Sequence, residues 1–238
     1  MNPTRKHIRT PLIAGALLAG MSGASQAAHL TVEIQNLTQG IYYTPFLVAA
    51  HTADASLFEV GEAASAELQM MAEGGDVSGL AGVVESVNGN VAEVQGELTG
   101  PSTTRSFSLT NDDGNTALSI VAMLLPTNDA FVGMDNWMIP TEAGTYTVYL
   151  NAYDAGTEAN DEIRGGGAPG VAGMPVPPPL DPLLGTGGTG VTTEETNTTV
   201  HIHRGNLGDS MMDAGSSDIN STVQRWLNPV AKVTITVQ

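Results

Sequence analysis

The chain has 238 residues and carries 25 acidic side chains against 8 basic ones, which gives a formal net charge of −17 at pH 7. A surface of this charge repels nucleic acids and anionic lipids and attracts metal ions, so we predict no nucleic-acid partner. The sequence contains no cysteine, which excludes thiol catalysis, iron–sulfur clusters and zinc sites built from cysteine.

Residues 1–28 have the three parts of a secretory signal peptide. A basic start is followed by an apolar run over residues 11–21 and then by small residues up to Ala28. The apolar run is too short for a membrane-spanning helix, which needs about 20 apolar residues. We therefore predict an exported protein, periplasmic or extracellular, whose residues 29–238 form one domain. Loss of the three basic residues of this segment takes the net charge from −17 to −20.

The first part of the mature chain reads as strands followed by one helix. Residues 30–35 alternate between apolar and polar side chains, which is typical of a half-buried strand. Residues 41–52 continue as a second extended segment that is interrupted at Pro45. Residues 62–73 are rich in alanine, leucine, methionine and glutamate and end at a glycine pair, which predicts a short helix.

The middle of the chain predicts further strands. Short strands are predicted over residues 83–87, 91–98 and 106–109, with a hairpin turn at residues 88–90 because asparagine and glycine tolerate positive φ angles. The apolar run over residues 117–125 predicts a central strand that is buried on both faces. A short buried helix is the alternative, since periodicity does not separate the two.

The C-terminal part completes an all-β pattern. Residues 145–153, 198–204 and 230–237 alternate as strands, whereas residues 165–196 are rich in glycine and proline and predict a flexible loop within the domain. The predicted fold is an antiparallel β-sandwich of about eight strands with one short helix and a long Gly/Pro-rich loop.

Two acidic loops lie next to the predicted strands. Asp129 follows the apolar strand at residues 117–125, and Asp154 and Glu158 follow the strand at residues 145–153. If these strands are close in the sheet, the three carboxylates converge at one edge, and hard oxygen ligands on loops favour Ca²⁺ over zinc or copper. The alternative is that these acids only cap turns.

Two histidines suggest a second kind of site. His201 and His203 are two residues apart on a predicted strand and so point to the same side. With a third donor such as His51 they form a set that binds zinc or copper; the alternative is that they make local hydrogen bonds. No Gly-x-Ser-x-Gly or Ser-x-x-Lys motif accompanies them.

Six segments in order carry a family resemblance. They lie at residues 32–38, 56–65, 123–133, 153–158, 200–205 and 226–233. Together they resemble the spondin-type domains (F-spondin N-terminal-like), in their small bacterial secreted version. The resemblance implies a β-sandwich with a calcium ion held by acidic loops at one end, and adhesion or extracellular-matrix roles as in the animal members.

The resemblance places the calcium ligands at Asp129, Asp154 and Glu158. The animal members have an aspartate where Glu158 stands, and they have cysteines that this chain lacks. We predict a secreted, non-enzymatic calcium-binding protein with an unknown protein or glycan partner at the cell surface, and with membrane contact only through calcium. The alternative is a metal-dependent hydrolase or a periplasmic transition-metal-binding protein that uses His201, His203 and the acidic edge.

Overall fold

The computed structural model describes residues 27–112 and 114–238, so the predicted signal peptide lies almost wholly outside the described residues. The strands are β1 His29–Asn36, β2 Tyr42–Tyr43, β3 Leu47–His51, β4 Asn90–Val91, β5 Thr104–Thr110, β6 Ala117–Leu125, β7 Ala130–Met138, β8 Gly144–Asp154, β9 Arg164–Gly165, β10 Met174–Pro175, β11 His201–Ile202 and β12 Ala231–Val237. The α-helices are α1 Ala66–Gly74 and α2 Ser78–Ser86, and a short 3-10 helix covers Asp181–Leu183.

One antiparallel sheet forms the body of the molecule. Its strand order is β4-β3-β6-β7-β8-β12-β1-β5, with β11 paired to β8 and β2 paired to β6. The sheet curves until its last strand approaches the first edge, where the Gln95 side chain donates to the carbonyl of Ser106 in β5 and Arg105 donates to that of Leu98. The two halves of the sheet therefore face each other, and the predicted all-β antiparallel fold is confirmed.

The buried strand β6 separates two hydrophobic clusters. All nine of its residues are buried, because alternate side chains enter different clusters. Leu118 and Ile120 join the cluster between the two halves of the sheet, whereas Val121 and Met123 join a second cluster under the helices. The prediction of a central strand buried on both faces is confirmed, and the alternative of a short helix is wrong.

The prediction of a single helix and of a strand at residues 83–87 is wrong. Residues 83–86 lie in α2 and Val87 is its C-cap; Leu80 and Val84 are one turn apart in this helix, and both are buried in the second cluster. Adjacent valines suggested a strand, but contact with α1 and β3 favours the helix. The predicted hairpin at residues 88–90 is instead the connection from α2 to β4, and the predicted strand at 91–98 is reduced to β4, Asn90–Val91.

The predicted helix at residues 62–73 exists but begins later, at Ala66. Ser65 caps it, since the Ser65 hydroxyl accepts a hydrogen bond from the backbone N–H of Leu68 at 3.1 Å. Gly75 ends it in the left-handed conformation with φ 72°. The helix therefore starts at its cap rather than at the first residue of high helix propensity.

Replacing this cap gives a test of the helix boundary. Ser65→Ala is expected to lower the free energy of unfolding by about 1 kcal/mol, because one N–H of the first turn loses its acceptor. Urea denaturation measures the change. Ser86→Ala, at an exposed hydroxyl of the last turn of α2, is the matched control and is expected to change little. Equal stability of Ser65→Ala and the parent protein would contradict the cap.

The Gly/Pro-rich segment at residues 165–196 packs against the sheet rather than standing apart from it. Met174, Leu180 and Leu184 are buried in the second cluster. Arg164 fixes the start of the segment, since its guanidinium donates to the carbonyls of Gly185 and Leu184. The flexibility of this segment and the single domain at residues 29–238 stay predictions.

Candidate functional site

The two acidic loops meet at one end of the sheet. β7 pairs with β8 so that Ala130 lies opposite Asp154, which brings Asp129 beside the turn that follows β8. The backbone N–H of Ala155 donates to the carbonyl of Asp129 at 3.3 Å and joins the loops. The short connection between β6 and β7 therefore places Asp129 beside Asp154, as the strand order requires.

Asp129 is a fully buried carboxylate with one unpartnered oxygen. Its Oδ2 accepts hydrogen bonds from the backbone N–H groups of Thr157 at 2.9 Å and Glu158 at 3.2 Å. Its Oδ1 is buried and has no hydrogen-bond partner. Burial, followed by the negative charge of Asp154, raises the pKa of Asp129 from 3.8 to about 8. When Asp129 is ionised, its negative charge has no positively charged partner among the described side chains, which is why ionisation is disfavoured.

Asp154 is buried beside it and is better satisfied. Its Oδ1 accepts from the backbone N–H of Gly156 at 2.9 Å, and its Oδ2 accepts from the side-chain amide of Asn160 at 2.7 Å. Burial nevertheless raises the pKa of Asp154, against the lowering effects of the Asn160 hydrogen bond and the nearby His201. Asp129 and Asp154 thus form a pair of buried acids in which each ionised group disfavours the ionisation of the other.

Glu158 lies at the outer side of the pair. Its Oε1 accepts from the side-chain amide of Asn128 at 2.9 Å and from the backbone N–H of Gly173 in the Gly/Pro-rich segment. Burial raises the pKa of Glu158 as well. Its carboxylate therefore belongs to the same acidic cluster, but hydrogen bonds hold it toward the Gly/Pro-rich segment.

Two residues of the site were missed from the sequence. Asn128 links the loops, since its amide donates to both Glu158 and Asp161 and its Oδ1 accepts from the backbone N–H of Glu162. Glu162, with a positive φ of 59°, buries its carboxylate against the segment that begins at Leu207. The sequence around Asn128 and Glu162 does not indicate these roles, because both roles depend on contacts with residues that are distant in the sequence.

Asp129 and Asp154 offer the oxygen ligands that a hard cation prefers, but they do not form a complete ligand shell. Across residues 27–112 and 114–238, no three acidic or histidine side chains are arranged to hold one metal ion. The donor set at Asp129 and Asp154 consists of oxygens, and the Oδ1 of Asp129 has no other partner. No lysine or arginine in the described part of the chain forms an ion pair with these acids.

The histidines do not form a metal set with His51. His203 is buried, its Nε2 bonds the Oδ1 of Asn160 at 2.9 Å, and its Nδ1 accepts from the backbone N–H of Gly205. Burial lowers the pKa of His203 to about 3, so the ring is neutral and both nitrogens are already engaged. His201 lies with its Nε2 3.7 Å from the Oδ2 of Asp154. The predicted strand at residues 198–204 is present only as the short β11.

His51 belongs to a separate buried group. Its Nε2 is 2.7 Å from the hydroxyl of Ser119, which in turn donates to Asp135 at 2.8 Å. Serine lies between histidine and aspartate here, whereas a catalytic triad has histidine between the other two. His51 and Ser119 are fully buried, so this group serves the contact between β3, β6 and β7.

A comparison with models of protein families assigns the chain to a family. The Spondin_N family model matches residues 33–163, which is more than half of the chain and includes Asp129, Asp154 and Glu158. The chain therefore belongs to the Spondin_N family, and the predicted resemblance is confirmed. A comparison with curated proteins found no match.

Membership of the family indicates where such domains are usually found and whether they usually catalyse reactions. Spondin-type domains are typically extracellular and are generally non-enzymatic. Neither helix in the described part of the chain has the length and hydrophobicity needed to cross a membrane. His201 and His203 lie beyond the matched residues, so the family match does not extend to them.

Proposed function

We propose that this protein is a secreted, non-enzymatic domain that binds Ca²⁺ between its two acidic loops and acts in adhesion or recognition outside the cytoplasm. The observation that carries the proposal is the Oδ1 of Asp129, which is buried without a partner beside a second buried acid. A buried negative charge of this kind is costly unless it is paired, and a bound cation pairs it.

Calcium fits better than a transition metal. The acids supply only oxygen ligands, and Ca²⁺ completes its shell of roughly six to eight oxygens with backbone carbonyls and water. Zinc and copper prefer imidazole or sulfur. His203, the buried histidine nearest to Asp154, has both ring nitrogens in hydrogen bonds. This argues against the alternative of a metal-dependent hydrolase that uses His201 and His203.

Calcium would act on the loops that the acids connect. Asp129 contacts the loop after β8 through Thr157 and Glu158, and Glu158 contacts the Gly/Pro-rich segment through Gly173. A cation at Asp129 and Asp154 would reduce repulsion among these groups and order the surface around them. The partner of the domain would be a protein or a glycan, and anionic membranes would bind only through calcium.

The proposal predicts a calcium-dependent melting temperature. With Ca²⁺ about 100-fold above its Kd, the folded state is expected to gain about 3 kcal/mol. Asp154→Ala is expected to abolish the shift because a ligand is lost, whereas Asp54→Ala, at an exposed acid elsewhere, is expected to keep it. Scanning calorimetry in EDTA and in millimolar Ca²⁺ measures both. An unchanged melting temperature of the parent protein in Ca²⁺ would remove the metal from the proposal.

A further inference from the structure

One face of the sheet is open to solvent over four strands. Side chains of β8, β12, β1 and β5 alternate between the core and the outside, and we call the outward set the outer face. The helices pack instead on the other half of the sheet, against β3, β6 and β7. Among the described elements, none packs on the outer face.

Hydroxyl groups form the first row of the outer face. The strand registers place Thr145 opposite Thr236, Thr236 opposite Thr31, and Thr31 opposite Ser108. The hydroxyls of Thr145 and Thr236 are 3.4 Å apart. Each hydroxyl both donates and accepts hydrogen bonds, so the row can match a ligand that does the same.

The second row repeats the pattern with one exception. The strand registers pair Thr147 with Thr234, Thr234 with Glu33, and Glu33 with Ser106. Three of these four side chains again end in a hydroxyl. The two rows together present a polar surface that has few rotatable bonds, because threonine is branched at Cβ and is restricted at χ1.

The third row adds an aromatic ring and an amide. Tyr149 lies opposite Lys232, which lies opposite Gln35, and the side chain of Tyr149 is 58% exposed. An exposed tyrosine ring offers an apolar face with a polar tip. The apolar face of a sugar ring packs on such a surface while its hydroxyls bond to neighbouring amides and hydroxyls.

The charge of the outer face differs from that of the whole chain. The chain has 25 acidic residues, yet within the three rows the only acid is Glu33, and Lys232 lies diagonal to it across β1 and β12. The face therefore has no net charge on a strongly acidic protein. A face without net charge favours a neutral ligand over anionic polymers and lipids. The hydroxyl groups of the face favour a polar ligand over the apolar side of a partner's helix.

The size and twist of the face indicate the form of the ligand. Three rows on four strands cover about 14 Å in each direction, since strands are about 4.8 Å apart and alternate residues about 6.8 Å apart. The usual twist turns the outer strands by roughly 60–75° relative to each other. A single flexible chain can follow such a surface, whereas a flat crystalline lattice cannot.

We propose that the outer face binds a neutral oligosaccharide chain laid across β8, β12, β1 and β5. The proposal names a partner class for the recognition role proposed above and rests on that role. It does not rest on calcium, because Asp129 and Asp154 lie at the far end of β8 from Thr145. Tyr149 stacks on a sugar ring, and Thr147 and Gln35 bond to its hydroxyls.

Affinity electrophoresis tests this with soluble neutral polysaccharides, namely β-1,3-glucan, β-1,4-glucan, mannan and galactan, in separate gels. Calorimetry with the matching hexasaccharides then gives Kd. At least one polymer is expected to retard the protein, in EDTA as well as in Ca²⁺. Tyr149→Ala is expected to weaken its binding about tenfold, and Tyr149→Phe is expected to keep most of it, since the ring remains.

Thr147→Val probes the hydroxyl rows without changing side-chain size. It is expected to weaken binding, whereas Thr186→Val, at an exposed threonine of the Gly/Pro-rich segment, is the matched control and is expected to bind as the parent does. The proposal is overturned if none of the four polymers binds, or if Tyr149→Ala binds as tightly as the parent. Calcium-dependent melting is measured separately, so failure of either proposal is visible independently.

Discussion

Replacing Asp129 with asparagine is expected to stabilise the calcium-free protein at pH 8 and to remove its response to calcium. The folded state raises the pKa of Asp129 from 3.8 to about 8, so ionisation of this group above pH 4 costs the folded state more than the unfolded state. The full cost is of the order of several kcal/mol. An asparagine avoids it but leaves an amide N–H₂ at the unpartnered position, which costs about 1–3 kcal/mol. The expected net gain is about 2 kcal/mol.

The same pKa shift gives a pH dependence of stability. In EDTA, the stabilising effect of a protonated Asp129 is present near pH 4 and is lost as the pH rises toward about 8. Stability of the parent protein is therefore expected to fall over this range, and Asp129→Asn is expected to flatten the fall. Urea denaturation at several pH values measures the slope. Asp54→Asn, at an exposed aspartate, is the control; an equal slope for the parent and Asp129→Asn would contradict the account.

Glu162→Ala is expected to cost about 4 kcal/mol, because three buried donors lose their acceptor. The carboxylate of Glu162 accepts from the backbone N–H of Leu207 at 2.6 Å, the N–H of Gly208 at 2.8 Å and the hydroxyl of Ser217 at 2.7 Å. These bonds tie the acidic loop to the segment before β12. Hydrogen exchange is expected to show faster exchange at Leu207 and Gly208 in the variant.

Glu142→Ala is the matched control for this substitution. Glu142 is an exposed glutamate in the connection between β7 and β8, and its hydrogen bond to Tyr146 uses its backbone carbonyl. Removing its side chain is expected to change the free energy of unfolding by less than about 0.5 kcal/mol. If both variants were equally stable, the carboxylate of Glu162 would not hold the two segments together.

Strands with one buried face could be predicted from the sequence. In β1 and β12, apolar residues such as Val32 and Ile235 alternate with polar ones, because one face meets the core and the other meets water. Helix α2 could not be predicted in this way. Leu80 and Val84 are four residues apart, and this spacing puts them on one face of a helix and also on one face of a valine-rich strand. Contacts with α1 and β3, which are not local, favour the helix.

The meeting of Asp129 and Asp154 could be predicted only on the condition that their strands lie close in the sheet. The strand that brings Asp129 to Asp154 is β7, which the sequence pattern does not predict, and the predicted strand β6 is not a neighbour of β8. The depth of burial of Asp129 could not be predicted, because it depends on the turn at Thr157 folding over the carboxylate. The direction of Glu158 toward Gly173 depends in the same way on the Gly/Pro-rich segment. The acidic residues of the site can thus be recognised from the sequence around them. Their pKa values and hydrogen bonds depend on residues that are distant in the sequence.

The most direct test is a crystal structure of the mature protein grown with Ca²⁺, with an anomalous difference map that locates the ion. We expect a calcium ion bonded to a carboxylate oxygen of Asp129 and to one of Asp154, with the Oδ1 of Asp129 no longer unpartnered. An ordered structure in millimolar Ca²⁺ with no ion between these two acids would contradict it.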